Sequence, residues 1–140
     1  MALTSEATTL WFGDLTSGSG TTSLDSSDAA EFPVNWEARS EGVIGHTNPE
    51  ELLAAAHSAC FSMAFSKALA DAGHAPESLQ VTAAVTFQPG EGVTGSHLLV
   101  TAKVPGMADE EFQGLAENAR VNCPISKALS IPITIEASLT

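Results

Sequence analysis

Basic residues are scarce in this 140-residue chain: five Lys and Arg stand against 17 Asp and Glu, a formal net charge of −12 at pH 7. Such a surface repels phosphate backbones and anionic bilayers, so neither nucleic acid nor membrane is an expected partner. Cysteine is rarer still, with only Cys60 and Cys123. Two are too few for the disulfide framework of a small secreted domain, and neither sits in the C-x-x-C pairs of a zinc site. No unbroken apolar run reaches ~18 residues. The start, "MALTSEATTL", lacks the basic n-region and apolar h-region of a signal peptide, so a soluble cytoplasmic protein is expected. Pro and Gly are modest, at 7 and 11, while 44% of residues are hydrophobic, which excludes a disordered or low-complexity chain. The length fits a single domain over residues 1–140 that buries about two-thirds of its unfolded surface.

The N-terminal third carries turn and strand signals. "TTLWFGD" and "TTSLDS" flank the turn-forming "LTSGSG", which predicts a hairpin. "EFPVNWEARSEG" then alternates as a third strand, with Phe32, Val34, Trp36 and Ala38 on one face and Arg39 on the other. A long helix follows in "NPEELLAAAHSACFSMAFSKALADAG", residues 48–73. Asn48 suits the N-cap, Pro49 the first helical position, Glu51 a capping-box partner and Gly73 the C-terminal stop. About 25 residues at ~1.5 Å each make a rod nearly 40 Å long. It is apolar on most sides and needs cover from more than one direction, which predicts an obligate homodimer with two such helices packed together between sheets. Downstream, "SLQVTAAVTF" and "SHLLVTAKVP" are strands around the turn "QPGEGVTG". "MADEEFQGLAENARVN" is a helix, "CPISKALS" a short helix opened by Pro124, and "IPITIEASL" a closing strand. The order β-β-β-α-β-β-α-α-β is α+β, with mostly antiparallel pairing.

The thiols differ in setting. Cys60 lies twelve residues past the N-cap, about 18 Å along the axis, beyond reach of the helix's positive end. Its neighbours one turn away are Ala56, His57, Met63 and Ala64. Apolar burial alone raises a thiol pKa, so a reactive Cys60 needs a cation brought from elsewhere. Cys123, in "NCPIS", stands at a helix start where unpaired N–H groups favour a thiolate, unless "CP" is only a break between helices. On these residues alone the pair is either two inert buried thiols or a redox couple. The cations available are Arg39, Lys67, Lys103, Arg120 and Lys127. Arg39 leads into the long helix; it either faces solvent or turns inward to stabilise a thiolate and bind a peroxide oxygen. Glu50 either caps the helix or orients Arg39. Ten residues, ~15 Å, separate Glu50 from Cys60 along one helix, so they can share a small site only across an antiparallel helix pair of two copies. His57, on the Cys60 face, is a base, a hydrogen-bond donor or a packed interface residue. The other histidines show no metal spacing, and no metal site is expected.

"TNPEELLAAAHSACFSMAFSKAL" together with "NCPISKAL" resembles the OsmC/Ohr family, the osmotically inducible and organic hydroperoxide resistance proteins. The likeness covers nearly the whole chain and both motifs fall in the right order. The resemblance implies an OsmC-like fold in which a long buried central helix packs between antiparallel sheets of an intertwined homodimer, with sites at the subunit interface. It implies a thiol peroxidase for organic hydroperoxides, without cofactor, recycled by an external dithiol; lipoylated proteins are the reductant known in the family. Matched residue by residue, Cys60 takes the place of the peroxidatic cysteine, Cys123 of the resolving cysteine, Arg39 of the site arginine and Glu50 of the glutamate that orients it. "WFGDLTSGSG" has no arginine, whereas "ARSEG" and "AAHSACFS" look like the OsmC branch rather than the Ohr branch. The implied chemistry passes through a Cys60 sulfenic acid and a Cys60–Cys123 disulfide. Leu52, Leu53, Phe61, Met63 and Phe65 are candidates to line an alkyl pocket. The reading of a different class is a non-catalytic peroxide sensor or dithiol-binding module that uses the same two thiols.

Overall fold

The computed structural model describes every residue, Met1–Thr140. The chain divides into two compact units, Met1–Leu52 and Leu53–Thr140.

In the first unit, β1 (Thr8–Phe12) and β2 (Ser19–Ser23) pair antiparallel from Thr8↔Ser23 to Phe12↔Ser19. The hairpin closes through the Asp14 carboxylate, which accepts from the Ser17 backbone N–H at 2.8 Å, and the Asp14 carbonyl, which accepts from Gly18 N–H at 3.0 Å. A Cβ on Gly18 would lie 2.3 Å from that carbonyl oxygen, so the turn admits only glycine there. β2 starts two residues earlier than "TTSLDS" because Ser19 and Gly20 pair with Phe12 and Trp11. β3 (Glu31–Val34) adds antiparallel to β2 and completes a three-stranded sheet in the order β1-β2-β3.

The third strand expected through residue 42 stops at Val34. Asn35 caps a short helix, α1 (Trp36–Ser40), its side-chain oxygen accepting from Ala38 N–H at 2.7 Å. Arg39 is therefore on a helix, one turn from Trp36, rather than on the opposite face of a strand. The apolar alternation of "FPVNWEA" fits a strand, but a local side-chain-to-backbone bond at Asn35 competes with the ladder and wins.

The long helix, α2 (Pro49–Asp71), begins as its sequence directs. Asn48 accepts from Glu51 N–H at 2.8 Å, and its amide donates to the Ala38 carbonyl at 3.0 Å. The Glu51 carboxylate is engaged by the Thr47 hydroxyl at 2.5 Å. At the far end Gly73 has φ 90°, its N–H bonds Ala70 and the His74 N–H bonds Leu69, each at 2.9 Å, which is a Schellman stop.

In the second unit, β4 (Ser78–Gln88) pairs antiparallel with β5 (Gly92–Lys103), and β6 (Ile133–Leu139) joins β5 in parallel. The sheet is thus mixed, not wholly antiparallel, because the return to β6 runs through α3 (Asp109–Asn122) and α4 (Pro124–Ala128) rather than through a hairpin. Phe61, Phe65 and Leu69 of α2, Leu98 and Val100 of β5 and Phe112 of α3 form the core. Phe65 packs its ring against Phe61 and Phe112 with centroids 5.4 and 5.3 Å apart. His57, Phe61, Phe65 and Leu69, four residues apart, make the one fully buried stripe of α2. Its opposite side, with Ala55, Ala59, Met63 and Ala70, is exposed in the single chain. By length and composition α2 would also suffice to cross a bilayer, but its aromatic stripe is committed to a protein core.

Candidate active site

The break between α3 and α4 positions one sulfur against the other. Cys123 leaves helical geometry at φ −54°, ψ 129°, and Pro124, which lacks an N–H, opens the next helix. The Cys123 Sγ then lies 3.2 Å from the Cys60 Sγ on α2. Both are free thiols; Cys123 is wholly buried, while Cys60 is only partly so. Burial pushes the Cys60 thiol up, and Cys123 beside it adds to the rise against a lowering contribution from the Ile125 backbone N–H. Burial acts in the same sense on Cys123. Hydrogen bonds from the Ser126 backbone N–H, with Cys60, from the Ser126 hydroxyl and from Ile125 N–H outweigh it and hold Cys123 below the ordinary thiol value. The two shifts run in opposite directions, Cys60 up and Cys123 down, so within the single chain Cys123 is the more readily ionised of the two.

In the first unit Arg39 and Glu50 form a bidentate ion pair, Nε to Oε1 and Nη2 to Oε2, both at 3.0 Å. The Glu50 side chain is 7% exposed and that of Arg39 32%. Arg39 also borders a cavity of about 330 Å³ walled by Trp11, Leu15, Val34, Trp36 and Leu52. A planar cation in the wall of a mostly apolar pocket suits a ligand with one polar atom and a greasy tail.

Other expected site residues fall elsewhere. His57 is buried with both ring nitrogens engaged, Nδ1 with the Ser96 hydroxyl and Nε2 with the Ser126 hydroxyl, each at 2.8 Å. Burial lowers its pKa and keeps the ring neutral, and no nitrogen is left to act as a base. Phe61 belongs to the core instead of a pocket wall, for its place on the buried stripe of α2 turns it inward. Met63 is exposed and Leu53 half-buried. Trp11, Trp36, Ser96 and Ser126 escaped sequence reasoning. Only Ser126 left a trace, standing one helical turn past Cys123.

The family profile described as OsmC-like protein matches residues 41–138. The chain is 40% identical over 132 residues to Peroxiredoxin OsmC of Escherichia coli, an alignment covering 92% of each. It is 36% identical to the organic hydroperoxide resistance protein OhrA of Bacillus subtilis over 66% of this chain and 67% of that one. An organic hydroperoxide resistance protein from Elizabethkingia anophelis superposes with a TM-score of 0.70 at 29% identity, covering all of this chain and 97% of the other. An OsmC-like protein from Vibrio cholerae reaches a TM-score of 0.73 at 17% identity over 96% of this chain and 100% of its own, a likeness of fold alone. With the profile spanning well over half of the sequence and a relative 40% identical over 92% of both chains, the chain belongs to the OsmC-like family.

Proposed function

We propose that this protein is a thiol peroxidase that reduces organic hydroperoxides to alcohols, with Cys60 as the peroxidatic and Cys123 as the resolving cysteine. Relatives named peroxiredoxin and organic hydroperoxide resistance protein support the peroxidase role. The observation that carries the assignment within the chain is the 3.2 Å separation of two free thiols of which only Cys60 reaches solvent. A peroxide can meet Cys60; Cys123 can meet only Cys60.

The Cys60 thiolate attacks the distal oxygen of ROOH, the O–O bond breaks, and the alkoxide takes a proton to leave as ROH with Cys60 as a sulfenic acid. The Cys123 thiolate then attacks the Cys60 sulfur, hydroxide leaves and is protonated to water, and a Cys60–Cys123 disulfide forms. An external dithiol, such as a lipoylated protein, returns both thiols by exchange. Cys60 has to be ionised for the first step, yet burial opposes this. We assign its activation to Arg39, held by Glu50 in the wall of the mostly apolar cavity. The ~15 Å between Glu50 and Cys60 along one helix supports a reading in which the guanidinium and the thiol come from two copies of the chain. The exposed apolar side of α2 and the exposed Leu10, Phe12 and Leu15 of the first unit supply surface for that homodimer. The reading also places the protein in the cytoplasm, where a dithiol pool keeps both thiols reduced.

Turnover of cumene hydroperoxide with dihydrolipoamide as reductant tests the proposal. Cys60→Ser should abolish consumption, and Cys123→Ser should allow one stoichiometric turnover and leave a sulfenic acid that a dimedone probe captures. Oxidation of the native protein without multiple turnover would instead identify a peroxide sensor.

A further inference from the structure

The indole of Trp11 is held in place by what the neighbouring strand lacks. Trp11 of β1, Gly20 of β2 and Val34 of β3 stand in one cross-strand row. A Cβ on Gly20 would come within 2.8 Å of Trp11 Cε3, 2.8 Å of the Leu10 carbonyl oxygen and 3.3 Å of Val34 Cγ2; a Cβ on Gly18 would come within 3.0 Å of Trp11 Cζ2. Cε3 and Cζ2 are opposite corners of the six-membered ring. That ring therefore occupies the space that two side chains, two residues apart on the way into β2, would fill. Neither glycine has a positive φ, so backbone dihedrals alone do not call for them. The Trp11 Nε1–H donates to the Gly13 carbonyl at 2.9 Å and stops the indole from turning in its plane. Trp11 is still 37% exposed, and with Val34, Trp36 and Arg39 it walls the cavity of about 330 Å³. One face of the ring lies on β2, which leaves the other to the cavity.

We propose that Trp11 is a specificity-determining residue: a fixed, flat wall by which the cavity selects hydroperoxides that carry an aromatic ring over saturated ones of equal size. An aryl ring laid against indole in an offset stack gains attraction beyond the apolar area it buries, and a puckered cyclohexyl ring does not. Because the indole is already pinned, it loses no side-chain freedom when a ligand arrives. The volume lies at the low end of the ~300–1,000 Å³ of small-molecule sites, which suits one ring with a short stem rather than a long acyl chain. Arg39 in the same wall is placed to meet the polar end of that ligand. A tryptophan that merely covered two glycines would hold the sheet together equally well without distinguishing the two kinds of ligand.

This inference rests on the cavity being the hydroperoxide site, but its test uses no peroxide. The probes are 2-phenyl-2-propanol, the alcohol that cumene hydroperoxide leaves, and its saturated analogue 2-cyclohexyl-2-propanol. The chain has two tryptophans, so ¹⁵N-tryptophan labelling gives two indole signals, that of Trp11 identified by its loss in Trp11→Leu. The phenyl alcohol should shift the Trp11 signal and bind on the order of fivefold more tightly than the cyclohexyl alcohol, the scale of one offset aromatic pair. Trp11→Leu should abolish this preference, read from the Trp36 signal, and Trp11→Phe, which keeps a ring, should retain most of it. Equal affinities in the native protein, or a Trp11 signal that neither alcohol moves, overturns the proposal whether or not the variants fold. Absence of peroxidase turnover with the preference intact would count against the peroxidase reading alone.

Discussion

Replacing Arg39 by Met should cost far more than deleting an ordinary surface charge, because it strands Glu50. The carboxylate is 7% exposed and receives two guanidinium hydrogen bonds at 3.0 Å. Removing one partner of a fully buried pair costs about 3–5 kcal/mol, most of it the desolvated charge left behind. Arg39 is about one-third exposed, so solvent already screens part of the attraction, and about 2–3 kcal/mol is the expected loss. The double variant Arg39→Met/Glu50→Leu removes the stranded charge and should regain most of that loss, giving a coupling energy near 2 kcal/mol. Urea unfolding followed by tryptophan fluorescence suits the measurement, since both tryptophans, Trp11 and Trp36, lie in the same unit as the pair. A coupling below about 0.5 kcal/mol would equate the pair with an exposed salt bridge and refute the claim that Glu50 holds Arg39 rigidly.

Three further outcomes are expected. Because burial depresses the folded-state pKa of His57 below its ordinary 6.5, the unfolded chain takes up this proton first as pH falls. The His57 contribution to stability is complete above pH 6.5 and is lost at up to about 1.4 kcal/mol per pH unit below it. Urea midpoints of wild type and His57→Gln should converge from pH 7.5 to pH 5, and parallel curves would show that the ring titrates normally. Phe65→Ala should destabilise by about 3–5 kcal/mol in the same assay, for Phe65 is fully buried between Phe61 and Phe112; a loss under 1 kcal/mol would mean the core collapses around the void. If the cavity binds substrate, Trp36→Ala should raise KM for cumene hydroperoxide on the order of tenfold and leave the reaction with hydrogen peroxide nearly unchanged, because only the former fills an apolar wall. Equal effects on both substrates would remove the cavity from the substrate path.

Local chemistry made much of the fold legible. Asn48, Pro49 and Gly73 mark α2 to within a residue because each serves a backbone need that few other residues meet. Pro124 marks α4 for the same reason. At Asn35 two local codes overlap: strand alternation runs through "FPVNWEA", and only the geometry of the side-chain bond to Ala38 decides for a helix. The parallel pairing of β6 with β5 left no local mark, since register across a sheet is fixed by what the connecting helices bury. Among the candidate site residues, Cys60, Cys123, Arg39 and Glu50 stand out by rarity or by motif. Ser96 and Ser126 do not, because a buried serine is distinguished from a surface one by its partner, and the partner is 39 residues away in one case and 69 in the other.

The electrostatics of the single chain bear on the proposed dimer. Within one chain the hydrogen bonds at the start of α4 favour charge on Cys123, and burial disfavours it on Cys60. That distribution suits resolution and reduction, in which Cys123 first attacks and later departs. It is the wrong distribution for the opening step, which needs the thiolate on the sulfur that meets the peroxide. An inversion by one pKa unit takes about 1.4 kcal/mol of differential stabilisation, well within what a guanidinium at hydrogen-bond distance from a partly buried thiolate supplies. On the proposed reading the second copy brings that cation. The chain would then be a peroxidase only as a dimer, with subunit dissociation leaving a folded protein whose reactive sulfur is protonated. Dilution through the dimer dissociation constant should therefore lower the rate of Cys60 oxidation per chain along with the dimer fraction. A rate per chain that stays constant as dimers give way to monomers would place the activating cation within one copy.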